Sequence, residues 1–289
     1  MKVSGFTFIK NAVKYDFPLV ESVTSILPLC DEFIIVHGDS DDSTGNLIDS
    51  INSPKIKVFD TVWDPNLKQG GLILSQQTNV ALSKTTGDWC FYIQADEVVH
   101  EKYLPEIQKA MQTNLNDKKV EGLLFKYIHF YGSYNYAASS RQWYRNEIRI
   151  VRNNIGVQSF KDAQGFRRNN RLLKVKSLDS YIFHYGWARP SKTMQKKMKY
   201  FHSLWHNKDW IDKNVPNEAE YDFSGMDSLK LFKDSHPAVM EERIEKNTIQ
   251  FNPTKQKIKK GFLRSFLDLY EKLTGYRLGE YKNYEIINK

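Results

Sequence analysis

The chain has 289 residues, 40% of them apolar and 26% charged, and a formal charge of +8. This composition suits a globular protein with one large core and a smaller appendage, or two modest domains. It excludes low-complexity architectures, and no stretch reaches the roughly 18 uncharged apolar residues of a membrane span. Cys30 and Cys90 are the two cysteines, and apolar surroundings for both indicate small hydrophobes in a reducing compartment rather than a disulfide framework. The positive charge raises phosphorylated ligands, anionic membranes and nucleic acid as partners. It is unevenly spread: the first hundred residues are nearly balanced, whereas Lys192 to Lys199 and Lys255 to Arg264 are basic clusters in helical-looking sequence.

The N-terminus runs straight into an apolar strand, Val3 to Ile9, rather than a signal segment, and a cytoplasmic protein is expected. A helix over Val20 to Leu29 follows, with Pro18 near its start. Phe33 to Val36 is a second strand, leading into the polar turn His37 to Gly45 and a helix from about Asn46 to Ile51. Ile56 to Phe59 is a third strand, Gln76 to Lys84 a helix, and a fourth strand ends at Asp96. Strands alternating with helices imply a parallel, doubly wound sheet whose strand ends share one edge. In the second half, Gly122 to Phe130, Glu147 to Arg152, Leu172 to Lys176 and Ser180 to His184 read as strands, with an aromatic loop from Tyr131 to Tyr144. Beyond Pro190 the pattern is helical, with a loop at Asn207 to Gly225 and a last helix near Gly261 to Thr274.

Two features carry chemistry. The run Gly87 to Val99 places Asp96 and Glu97 at the end of an apolar strand, where open α/β sheets bind ligands. Such hard oxygen donors suit Mg²⁺ or Mn²⁺, although an acidic first turn of a helix would use the same residues. In the last helix, Phe262, Leu263, Phe266, Leu267, Tyr270 and Leu273 form an apolar stripe behind Lys255, Lys257, Lys259 and Lys260. It either lies on an anionic bilayer at the inner face of a membrane or packs on the protein's own core with its lysines in water. The second is the simpler expectation.

The order of five segments resembles family 2 glycosyltransferases with a GT-A fold, of the bacterial glycan-biosynthesis type. These are Ile9-Lys10-Asn11-Ala12, Asp31 to Thr44, Trp63, Gln77-Thr78-Asn79 and Gly87 to Glu97. The resemblance implies a Rossmann-like, mostly parallel sheet flanked by helices and followed by a helical C-terminal extension. Residues 1–190 would form the catalytic domain, its first hundred binding nucleotide-sugar and the remainder acceptor, and 191–289 the extension. The implied reaction is inverting, metal-assisted transfer from a nucleotide-sugar donor to a glycan or lipid-linked saccharide. Rival readings are a protein or peptide glycosyltransferase, a non-catalytic scaffold, or a basic nucleic-acid-binding protein.

The resemblance also assigns residues. Asp96 stands at the second acid of the family's Asp-x-Asp motif and would hold the metal, with Glu97 and His184 as further ligands. Gln94 replaces the first acid, and His37 stands where the family often carries an Asp, with Asp39 close enough to substitute. Phe8, Asn11, His37, Asp39, Asn79, Gln94 and Ala95 would bind the donor. A carboxylate must deprotonate the acceptor. Asp162 is preferred over Glu147, because it follows Arg149 and Arg152 at the distance where related sequences carry an acid; Glu147 would then pair with an arginine, and Glu97 is a third candidate. Arg149, Arg152, Arg167 and Arg189 either bind phosphate or hold the roof by ion pairs. Tyr131, Tyr134, Trp143 and Trp187 would face a carbohydrate acceptor, their flat rings packing on sugar C–H faces, unless the loop buries them.

Overall fold

Burial of short apolar runs organises the first half of the chain. The computed structural model describes residues 1–64, 66–67, 69–215, 218–226, 228–253 and 262–287. In it β1 (Val3–Ile9), α1 (Leu19–Ile26), β2 (Glu32–Gly38), α2 (Thr44–Asp49), β3 (Ile56–Thr61), α3 (Leu72–Ser83) and β4 (Trp89–Tyr92) follow one another. The four strands pair in parallel in the order β3-β2-β1-β4. Phe33 to Val36 and Trp89 to Tyr92 are fully buried because both faces are covered. Phe33 and Ile35 pack with Leu19, Val23 and Ile26 of α1, while Ile34 and Val36 pack with Ala81 of α3.

The sheet then becomes mixed. β5 (Glu97–Val99), α4 (Leu104–Thr113), β6 (Gly122–Tyr131), β7 (Tyr136–Ala138) and β8 (Asn146–Arg152) come next, followed by β9 (Val157–Phe160), β10 (Gly165–Arg168), β11 (Arg171–Leu172) and β12 (Lys174–Trp187). β8 runs antiparallel between β4 and β6, and β12 runs parallel to β6 and antiparallel to β5. β9, β10 and β11 form a separate three-stranded sheet. The fourth strand stops at Tyr92, four residues before Asp96, and Glu97 starts a new strand instead of a helix. The two strands expected over Leu172 to His184 are one, interrupted by a bulge between Ser177 and Tyr181.

The C-terminal third contains α5 (Ser191–Ser203), α6 (Lys208–Asn214), β13 (Leu229–Leu231), α7 (Glu241–Glu245), α8 (Phe262–Thr274) and β14 (Glu285–Ile286). It is not purely helical: β13 joins β7 and β14 joins β12. The loop expected from Asn207 to Gly225 holds α6. The basic run Lys255 to Lys260 lies outside the described residues. α8 meets the simpler expectation for its stripe only in part: Leu267 and Tyr270 are half-buried. Glu271 faces the body and meets Arg141 at 2.5 Å and Arg277 at 2.9 Å, while Leu263, Phe266, Leu269 and Leu273 are exposed. Cys30 and Cys90 are buried and free, as small hydrophobes.

Two carboxylates near β8 are sealed from solvent by different means. Glu97 is fully buried and accepts a two-pronged bond from Arg149, Nε to Oε2 at 2.8 Å and Nη2 to Oε1 at 2.7 Å, plus one from the Tyr127 hydroxyl at 2.8 Å. The Arg149 guanidinium also lies over the rings of Tyr92 and Tyr127. Glu147 has no such partner: its Oε2 is buried and unbonded. Burial, opposed by Arg149 and reinforced by Glu97 and Asp162, pushes its carboxyl up to about 8.

Replacing Glu97 by Gln strands the Arg149 charge and is expected to cost about 3–5 kcal/mol of stability in urea unfolding; a loss under about 1 kcal/mol would show that the pair is not buried as described. For Glu147 the folded proton affinity exceeds the unfolded value of 4.5, so its contribution to stability falls as pH rises from about 4.5 to about 8 and is flat above. Glu147→Gln should therefore gain in melting temperature relative to wild type between those two pH values, and a difference independent of pH would contradict the burial.

Candidate active site

The turn after β4 fixes one carboxylate at the mouth of the sheet. Ser22 Oγ donates to the Gln94 carbonyl at 2.8 Å, the Gln94 amide to Glu97 Oε2 at 3.1 Å, and the Tyr185 amide to the Asp96 carbonyl at 2.8 Å. With Glu97 held inward by Arg149, Asp96 alone turns toward α5. There Lys197 Nζ lies 2.9 Å from Asp96 Oδ2 and 2.9 Å from the Gly186 carbonyl oxygen. Gly186 has to be small: a Cβ there would lie 2.4 Å from His184 Nε2 and 2.9 Å from Asp96 Oδ2.

His184 reaches Asp96 at the end of a relay. His129 Nε2 is 2.8 Å from the Tyr144 carbonyl, which only accepts, so this nitrogen carries the proton. His129 Nδ1 then accepts from His184 Nδ1 at 2.9 Å, leaving His184 Nε2 as a bare acceptor 3.8 Å from Asp96 Oδ1. Burial lowers the proton affinity of both rings, which agrees with two neutral imidazoles.

Two adjoining cavities of about 280 and 140 Å³ open around this group. Both are lined by Phe8, Leu74, Gln94, Asp96, Lys197 and Phe201. The larger adds Tyr144, Asp162, Gln164, His184 and Trp187; the smaller adds Lys10, Trp63 and Ala95. Burial raises the proton affinity of Asp162. At Asp96 burial acts the same way, but the ammonium of Lys197 at 2.9 Å, with Arg189 nearby, overcomes it and holds the carboxyl below the usual carboxylate range. Burial and the nearby Arg189 push Lys197 down to about 8. Arg189 is 1% exposed; its Nη1 donates to the Tyr15 carbonyl, while Nε and Nη2 have no partner. A larger concavity of about 740 Å³ lies against α1 and α7, where Arg243 is already taken by Asp16 and Glu21.

Of the residues singled out by sequence, Phe8, Gln94, Ala95, Asp96, Asp162, His184 and Trp187 line these cavities. Arg149 also lines the larger cavity, and others are engaged within the protein. Glu97 is consumed by Arg149, and Glu147 is buried outside the cavity lining. Asn79 clamps β9, accepting from the Ser159 amide at 2.7 Å. Asn11 accepts from the Asp41 amide at 2.8 Å. His37 is bonded to Asp60 and Ser40. Asp39 holds Lys10 at 2.7 Å and the Trp63 amide at 3.0 Å, one layer behind the smaller cavity. Tyr131 and Tyr134 are buried, Tyr131 stacked on Trp187, and Trp143 packs against His129. Arg152 and Arg167 bond backbone carbonyls. The helix beyond Pro190 is expected from sequence, but its place in the cavity lining is not. Met194, Met198 and Phe201 recur at helical spacing with Lys197 on the same face, a signal present in the basic cluster Lys192 to Lys199.

This donor set fits a divalent metal poorly as arranged. Among the described residues no three His, Cys, Asp or Glu side chains converge. Glu97 is spent on Arg149, Gln94 is neutral, and an ammonium holds one Asp96 oxygen. A doubly charged ion on the other oxygen would sit beside Lys197 and Arg189.

The family model for glycosyl transferase family 2 matches residues 18–171. Comparison with curated proteins gives no match. Among solved structures, S. aureus TarS aligns at 17% identity and a TM-score of 0.41, over 76% of this chain and 41% of its own length. Residues 1–349 of TarS with UDP-GlcNAc give 16% and 0.41, over 76% and 68%. Mycobacterium tuberculosis glucosyl-3-phosphoglycerate synthase with Mn²⁺ and UDP-glucose gives 18% and 0.31, over 45% and 44%. The chain thus spans about two fifths of the length of full-length TarS. Since the family model covers more than half of the chain, from the start of α1 to β11, the chain belongs to glycosyl transferase family 2.

Proposed function

We propose that the protein transfers a sugar, with inversion, from a nucleoside-diphosphate sugar to a hydroxyl of a glycan or lipid-linked saccharide. The observation that carries this reading is that Asp162 and Asp96 line one cavity at the carboxyl ends of β1 and β4, the edge where α/β sheets take nucleotides. Asp162 is the base. It takes the acceptor proton as the acceptor oxygen attacks the anomeric carbon, and the carbon–oxygen bond to the diphosphate breaks on the opposite face. Its raised proton affinity brings it nearer the working pH and suits that task. Phe8 and Trp63, with ring centroids 5.9 Å apart, flank the donor side together with Gln94 and Ala95. Tyr144 and Trp187 lie on the acceptor side.

Residues 1–190 are the catalytic body and 191–289 its cover, which reaches the cavity through α5. α8 supports a second contact of that cover, with an anionic lipid surface. It presents Leu263, 70% exposed, and Leu273, 76% exposed, on a chain of charge +8, with a basic run preceding it in sequence. A lipid-linked acceptor would be met at such a surface.

Release of nucleoside diphosphate from UDP-, GDP-, CDP- and dTDP-sugars tests the reaction. Wild type should turn over at least one, and Asp162→Asn should lower kcat by about 10²–10⁴ with diphosphate binding retained. Undiminished turnover in the variant would remove Asp162 from the mechanism. For the membrane contact, flotation with anionic and neutral vesicles should recover protein with the anionic ones only, and Leu263→Ser/Phe266→Ser should abolish it. Equal behaviour of variant and wild type, or a dimer without vesicle binding, would overturn that contact.

A further inference from the structure

We infer that Lys197, backed by Arg189, supplies the positive charge that a leaving nucleoside diphosphate requires, in the place where a divalent cation would otherwise sit on Asp96. This deepens the transferase reading and rests on it. Two buried charges, Asp96 and Arg189, meet the partly covered ammonium of Lys197 here. Lys197 Nζ is 2.9 Å from Asp96 Oδ2, and Lys197 and Arg189 both lie over the Phe17 ring, at 4.9 and 5.1 Å from its centroid. Asp96 bonds Lys197 directly, while Arg189 has only the more distant charges of Asp96 and Asp16 near it. Arg189 is 1% exposed and keeps Nε and Nη2 without hydrogen-bond partners among the described residues, and a buried donor of that kind is costly unless an acceptor completes it.

A diphosphate is such an acceptor. When the bond between the anomeric carbon and the β-phosphate oxygen breaks, the electron pair stays on that oxygen. Lys197 then stabilises it by a charge-assisted hydrogen bond without giving up its proton. Lys197 also lines both cavities, so it can face a donor spanning them. A divalent ion would add two positive charges to a group already positive, with Asp96 as the one carboxylate bonded there. The same ammonium holds α5 over the cleft, so occupancy of the site and closure of the cover are linked through one side chain.

The test is binding, measured by thermal shift on the full chain with UDP, GDP, CDP and dTDP, in EDTA and in Mn²⁺. The expected result is a diphosphate whose Kd in EDTA is within about threefold of that in Mn²⁺, with Lys197→Met weakening it at least about tenfold and Lys197→Arg restoring it. Wild-type binding that vanishes in EDTA and returns with Mn²⁺ overturns the inference, as does a folded Lys197→Met that binds like wild type in EDTA. If Lys197→Met does not fold, the wild-type comparison decides alone. No shift for any nucleotide in either condition brings down the transferase reading itself and this inference with it, an outcome distinguished by its indifference to metal.

Discussion

The paired bonds from Arg149 to Glu97 decide what the rest of the molecule can do. Asp96 and Glu97 are adjacent, and a strand running straight through both would send their side chains to opposite faces. Instead the chain leaves the ladder after Tyr92, turns, and starts β5 at Glu97, whose register opposite His184 is set by β12. Glu97 is thereby drawn into the core between Tyr92, Tyr127 and Arg149, and its neighbour is left as the acid that meets α5. Taking a carboxylate and a guanidinium out of water costs several kcal/mol per ion. Here the fork geometry, the tyrosine hydroxyl and the Gln94 amide satisfy the buried oxygens, so the pair holds the turn and gives Asp96 a single orientation.

The parallel half of the fold was legible because β1, β2 and β4 are short, apolar and buried on both faces, and β3 at the edge still carries an apolar run. Val3 to Ile9 is the strand that the sequence predicts, end to end. The mixed half was legible only in pieces. A bulge at Ser177 to Tyr181 breaks the alternation of β12, so that one strand reads as two. At the cavity, motif order singled out Asp96 and Asp162, which line it together, but not the pairing of Glu97 with Arg149. Nothing local to Asp96-Glu97 tells which carboxylate an arginine 52 positions away will claim. Asn79, Asn11 and His37 illustrate the same limit: polar residues at ligand-like positions are as useful for tying one backbone segment to another, and here they do that.

The helix α8 shows why an amphipathic pattern does not by itself say which face is buried. Its stripe predicts inward packing, yet Glu271 forms the docked face, because Arg141, Arg145 and Arg277 converge on it. Three guanidiniums held within one patch repel one another unless anions sit among them; Glu271 meets all three, and Glu280 takes Arg145 by two bonds at 2.8 and 2.7 Å. Leu263, Phe266 and Leu273 are left outward, while Leu267 and Tyr270 are half-buried beside the docked face.

The same logic of charge runs through the cleft. Met194, Met198 and Phe201 bring apolar surface over Phe8 and Leu74, and the water they displace leaves Lys197, Arg189 and Asp96 in a medium where charges act on each other more strongly than at a surface. That setting penalises an unsatisfied charge, and Arg189, 1% exposed, keeps two nitrogens without partners among the described residues. Lys197 is held by Asp96 and the Gly186 carbonyl and still lines both cavities. In the role inferred for it, that ammonium would meet an anionic group from outside the chain beside Asp162. In the proposed reaction the donor's charge and Asp162 would meet in one cavity at the sheet edge, which residues of α5 also line.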